Sequence, residues 1–152
     1  MTIENATVQC APAPSPGIGK GIGKLRAGLQ PACAVAALVL VVGLFIGGAQ
    51  PFAVGLFTAP WDKVAHAAVF GVLAVLLALA LRGAHVLHGR TALGLRHTLL
   101  LAALLAAMVA GADEIHQIWL PGRMAGWDDW LADVAGVALA LAGLYRVWPA
   151  PK

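Results

Sequence analysis

The sequence predicts an all-α polytopic membrane protein: four transmembrane helices in a small bundle, preceded by a flexible N-terminal tail. Three observations carry that expectation. Of the 152 residues, 61% are hydrophobic and only 11% charged, with a mean hydropathy of +0.84, whereas soluble domains carry about 25% charged residues. The apolar residues fall into four runs of about 20, the length at which a helix crosses a hydrocarbon core of roughly 30 Å. Most of the basic residues stand outside those runs, in the tail and the connections.

Residues 1–30 are rich in Pro, Gly and Ala and end in Lys20, Lys24 and Arg26. Such a composition has nothing with which to build a core, so a flexible cytoplasmic tail is expected. Residues 31–149 make up the transmembrane domain. Its first span, about Ala32 to Ala49, is uncharged and stops at Gln50-Pro51; the second runs from about Trp61 to Leu81. A basic loop follows, with Arg82, Arg90, Arg96 and three histidines, His85, His88 and His97. The third span begins near Thr98 and ends at Pro121-Gly122, a pair that cannot continue a helix. The fourth extends from about Asp128 to Trp148. Trp61, Trp119, Trp127, Trp130 and Trp148 all fall near helix ends, where indoles anchor a chain in the membrane interface. Cys10 and Cys33 lack paired spacing, so no disulfide is expected.

Loops rich in Lys and Arg stay in the cytoplasm. The tail, the 82–97 loop and the C-terminus hold eight of the ten basic residues, so both termini are expected inside and an even number of spans follows. The opposite side holds every acidic residue except Glu4: Asp62, Asp113, Glu114, Asp128, Asp129 and Asp133. Only Lys63 and Arg123 join them there. A competing reading takes the first span as a cleavable signal peptide ending at Gly47-Gly48-Ala49, which would leave three spans in the same orientation. The net charge of +3 comes without a basic arm or an aromatic RNA-binding motif, so no nucleic acid partner is expected.

Two segments carry the candidate chemistry. Asp62, Lys63 and His66 open the second helix, with Asp62 and His66 four apart on one face; Asp113 to Gly136 spans the hairpin of the third and fourth helices. Asp113 shares a face with Gln117, and Asp129 with Asp133. A charge at the bilayer centre costs about 2.5–3.5 kcal/mol, so these groups are expected to face one another or a wet cavity. Asp62, Asp128 and Asp129 also suit the first turn of a helix, where a carboxylate opposes the positive end of the dipole. Asp113 and Glu114 lie toward a helix C-terminus, where that explanation fails. With seven residues between Asp113 and the end of its span, a depth of about 10 Å follows, and Lys63, Arg123, His66 and His116 are its possible partners. Arg123 suits an anion or a carboxylate equally, and Lys63 is also placed to snorkel. His66 fits a hydrogen-bonded core histidine or a proton-transfer group. Asp113 and His116 have the carboxylate-x-x-His spacing of di-iron bundles, but no second copy exists, so neither metal nor other cofactor is expected. Outer serine and cysteine nucleophiles are absent, which excludes acyl transfer of the Ser-His-Asp kind.

Across these segments the chain resembles the VanZ-like family of small membrane proteins, named after a protein associated with teicoplanin resistance. The resemblance rests on Asp62, Lys63 and His66, then on Asp113, Glu114 and Gln117, on the turn Pro121-Gly122-Arg123, and on Asp129 with Gly136. It covers about Trp61 to Leu144, and it departs at Asp133, where the family usually has an asparagine. It implies a cell-envelope role at the outer side of a bacterial inner membrane, concerning glycopeptide or lipopeptide antibiotics, and names no reaction. The expected partners are membrane lipids or lipid-linked envelope molecules. Arg123 and Lys63 would hold an anion, with Gln117, Asp62, Asp129 and Asp133 beside them. Asp113, Glu114 and His66 would be the catalytic groups, moving protons in any turnover. Proton-coupled transport and a non-catalytic membrane scaffold are the alternatives.

Overall fold

Inside a bilayer every backbone N–H and C=O must find a partner within the protein, so a spanning chain of this size is driven to helices. The computed structural model describes residues 16–84, 94–123 and 125–148, with side-chain surroundings from residue 28 onward. The expectations for residues 1–15 including Cys10, for His85, His88 and Arg90, and for Lys152 fall outside the described residues. Four helices dominate: α1 (Pro16–Gly48), α2 (Trp61–Ala84), α3 (Leu95–Gln117) and α4 (Trp127–Val147), with a single 3-10 turn at Pro51–Ala53 and no strand among the described residues. Each contains a segment long and apolar enough to cross a membrane, at Gly28–Gly48, Trp61–Arg82, Leu95–Gln117 and Trp127–Val147.

Helical backbone in α1 starts at Pro16, well before the apolar segment, and continues through Pro31. α3 is displaced from its expected bounds at both ends. It begins at Leu95, and it stops at Gln117 rather than at the Pro121-Gly122 pair. Tight turns close the remainder: Trp119 N–H donates to His116 C=O at 3.1 Å and Leu120 N–H to Gln117 C=O at 3.1 Å. Leu120 to Arg123 then form a turn in which Arg123 N–H donates to Leu120 C=O at 3.2 Å. Pro121 supplies its first central residue and Gly122, at φ +77°, its second, where a side chain would be strained. The earlier stop puts Asp113 about 6 Å from its helix end instead of about 10 Å.

The helices run up and down in sequence, so α2 and α4 are parallel and both point their N-termini to the same end. α2 packs against all three other helices, most extensively against α4. Small residues make that closeness possible. Gly136 lies on the backbone of Ala67, and Gly71 lies against Gly136 C=O, so that a Cβ added at Gly71 would be 3.2 Å from it. On α3, Ala102, Ala106 and Ala110 form a fully buried stripe at four-residue spacing, the small-residue seam that lets membrane helices approach. Phe70, Leu73, Val137 and Leu141 fill the centre. The outward surface is apolar: Leu38, Val72, Leu100, Leu104 and Leu139 are all more than half exposed, as residues facing lipid tails should be.

Gly136→Ala is expected to destabilise the bundle by about 1–3 kcal/mol, because its methyl group would overlap the Ala67 backbone. Gly143 has nothing within 4 Å, so Gly143→Ala should be neutral or slightly stabilising. Thermal denaturation of both variants in detergent checks this pair; equal midpoints would refute the close approach.

Candidate functional site

Polar groups gather at the end of the bundle that holds the N-termini of α2 and α4 and the C-terminus of α3. Lys63, in the first turn of α2, is the centre of one group. Its Nζ bonds Asp129 of α4 and reaches Asp128 Oδ2 at 2.7 Å and Asp62 Oδ2 at 3.3 Å. A cation is poorly placed where two helix N-termini meet, and the three carboxylates reverse that field. Asp62, Asp128 and Asp129 therefore work through Lys63, and the N-cap of α4, Gly126, brings no side-chain cap of its own. Lys63, with its charge shared among three partners, is a structural cation here rather than a free anion holder.

One turn deeper, His66 Nδ1–H donates to Asp133 Oδ1 at 3.0 Å, and the Asp133 side chain is wholly buried. Neither Arg123 nor Lys63 pairs with Asp133. The imidazole supplies the donor that a buried carboxylate requires. Glu114 comes in from α3, and its Oε2 accepts Gly126 N–H at 2.9 Å. This contact explains an acid that its own helix does not favour: near the C-terminus of α3, Glu114 stands at the N-terminus of α4, where negative charge is stabilised. One donor atom from each of His66, Glu114 and Asp133 lies within 4.8 Å of the others. Asp133 Oδ2 and Glu114 Oε1 are buried and lack hydrogen-bond partners.

Asp113 does not meet a cation among the described residues. Gln117 Nε2 donates to its Oδ2 at 2.8 Å, so the pair one turn apart satisfies itself in a buried setting. His116 stacks against Phe45 of α1, with ring centroids 5.1 Å apart, and takes no part in the cluster. Arg123 pairs with no carboxylate among the described residues; its Nη1–H donates to Ala53 C=O at 3.3 Å, while its Nε is buried without a partner. The far end of the bundle is basic, and Arg82 there stacks over the Trp148 ring at 4.4 Å.

Between α1, the connection after it, α2 and the end of α3 lies a cavity of about 490 Å³. Asp62, His66, Asp113, Gln117 and Arg123 line its polar side. Leu40, Gly43, Leu44, Gly47 and Phe52 line the apolar side. The contribution of α1 was missed by reasoning on charged motifs; its only signal in the sequence is the run of glycines, Gly43, Gly47 and Gly48, late in an otherwise bulky span.

The family model described as VanZ/LLP1 matches residues 29–148, which cover the four apolar segments but for Gly28 and include every residue of the site. No curated protein and no solved structure matches the chain.

Lys63→Gln is expected to lower the denaturation midpoint in detergent by several degrees, since it strands three carboxylates at two helix N-termini. Asp128→Asn, whose side chain is 70% exposed, should change it little. Indistinguishable midpoints for the two variants would contradict a central role for Lys63.

Proposed function

The chain belongs to the VanZ/LLP1 family and is a multi-pass membrane protein, and from that premise we propose that its cavity holds an anionic, amphipathic cell-envelope molecule in the outer leaflet of a bacterial inner membrane. The observation that carries the reading is the cavity of about 490 Å³ with one polar and one apolar side, in which Arg123 is a guanidinium free of carboxylates among the described residues. A half-buried cation on an unpaired edge of a membrane cavity favours an anionic head group, which it can grip through several N–H donors at once. The glycine-lined face of α1 offers room for an acyl or polyprenyl chain beside that head group.

The charge pattern supports the orientation. Arg82, Arg96 and Arg146 lie toward the end opposite the acidic groups, so the acidic end faces away from the cytoplasm and both termini lie inside. Binding is favoured over turnover because Asp113, Glu114 and His66 each hold a partner within the protein, Gln117, Gly126 and Asp133 respectively. A lipid-linked precursor and a lipopeptide antibiotic share the required chemistry, an acidic head on an apolar chain.

Mass spectrometry of co-purified lipids is the direct test. The wild type should retain an acidic amphiphile, and Arg123→Gln should lower its occupancy about tenfold or more, because a charge-assisted hydrogen bond contributes about 1.5–3 kcal/mol. Gly47 has open space around its Cβ position, so Gly47→Leu should fill the cavity, keep the protein folded and displace the same molecule. Added lipopeptide competing for the site would identify the antibiotic as a ligand; an unchanged lipid profile in both variants would sink the proposal. For the orientation, a periplasm-dependent reporter fused after Arg90 should stay inactive, and activity there would reverse the topology.

A further inference from the structure

The acidic end carries more negative charge than its own cations neutralise. Six carboxylates, Asp62, Asp113, Glu114, Asp128, Asp129 and Asp133, stand against Lys63 and Arg123, an excess of four negative charges. Lys63 is fully engaged by Asp62, Asp128 and Asp129, and Arg123 lies on Ala53 C=O. The deepest acids thus receive no protein cation among the described residues unless His66 is protonated. A buried carboxylate requires either a proton or a positive partner.

Within that region three side chains from three helices converge: His66 of α2, Glu114 of α3 and Asp133 of α4, with one donor atom of each within 4.8 Å of the others. Asp133 is wholly buried and Glu114 is 9% exposed. Each leaves one carboxylate oxygen, Asp133 Oδ2 and Glu114 Oε1, sealed from solvent with no hydrogen-bond partner. Asp62 Oδ1 is likewise buried without a hydrogen-bond partner, but Asp62, Asp128 and Asp129 all lie within reach of the Lys63 ammonium, a cation that Glu114 and Asp133 lack. We propose that His66, Glu114 and Asp133 bind a divalent transition-metal ion of the zinc or manganese kind. One imidazole with two carboxylates suits these ions, whereas magnesium and calcium take oxygen ligands throughout. Ligands at about 2.1 Å from a tetrahedral ion stand about 3.4 Å apart, so donors already within 4.8 Å of one another need to close by roughly 1.4 Å at most. His66 also lines the cavity, which gives the ion a route in and leaves room for water or a ligand atom to complete its coordination. The site does not rest on the envelope-molecule reading, since Arg123 and the α1 wall take no part in it. A bound ion would tie α2, α3 and α4 together at one point.

The full-length chain, purified in detergent and stripped with a chelator, is titrated with ZnCl₂ or MnCl₂ and its bound metal measured by inductively coupled plasma mass spectrometry. About one ion per chain is expected, together with a higher denaturation midpoint. Glu114→Gln and Asp133→Asn are close in shape to the native residues and should each weaken binding about tenfold or more. Asp128→Asn and the combined variant His85→Ala, His88→Ala, His97→Ala should bind as the wild type does. No stoichiometric metal at micromolar free ion would overturn the site, as would loss of metal only in the triple-histidine variant. Pulsed electron paramagnetic resonance of the Mn²⁺-loaded wild type needs no variant to fold. It should detect one directly coordinated imidazole nitrogen, and bound Mn²⁺ without that signal would also overturn the assignment.

Discussion

The close parallel contact between α2 and α4 is the constraint on which the acidic end depends. Gly136 sits on the Ala67 backbone because it has no side chain, and Gly71 allows the same approach one turn further on. Lipid tails are as apolar as leucine, so helices in a membrane associate through tight packing and polar contacts rather than through hydrophobic exclusion. Two parallel helices brought this close keep a nearly constant register. Lys63 therefore meets Asp129, 66 residues away, and His66 meets Asp133, 67 residues away. Both polar contacts follow from one backbone contact beneath them.

Parallel packing also concentrates the field. The positive ends of α2 and α4 lie side by side, and the end of α3 returns between them, so acids accumulate where two dipoles welcome them. Glu114 is the clearest case. Judged by its own helix it is misplaced, yet its carboxylate receives the Gly126 N–H at the start of the next helix. Lys63 is the converse, a cation at two positive helix ends that is tolerated because three carboxylates surround it.

The same end joins that polar cluster to an apolar recess. α1 contributes no charge within its apolar segment, but its glycines leave the space against which Asp62, His66, Asp113, Gln117 and Arg123 are arrayed. A molecule that is polar at one end and apolar at the other matches this division. Arg123 reaches it from a turn whose shape Pro121 and Gly122 dictate, with Gly122 at positive φ.

Composition and run length were enough to determine the helical class, the four membrane-crossing segments and their order, because burying backbone polar groups in lipid leaves few alternatives. Charge spacing singled out the candidate residues, since ionisable groups in apolar spans are costly. It did not determine who pairs with whom. Spacing along one helix relates Asp113 to Gln117, and that pair formed, but it says nothing of the distance between helices. Only the tertiary structure joined His66 to Asp133, set Glu114 at the start of α4, gave Lys63 three carboxylates and left Arg123 with none among the described residues. The stop of α3 at Gln117 also lay beyond the sequence, because the two turns that follow it compete closely with a further turn of helix. The carboxylate-x-x-His spacing of Asp113 and His116 on α3 has the pattern of a di-iron bundle without its second copy, and His116 stacks on Phe45 apart from the cluster. The three donors that do converge come one from each of three helices, a grouping that no periodicity along a single chain segment records.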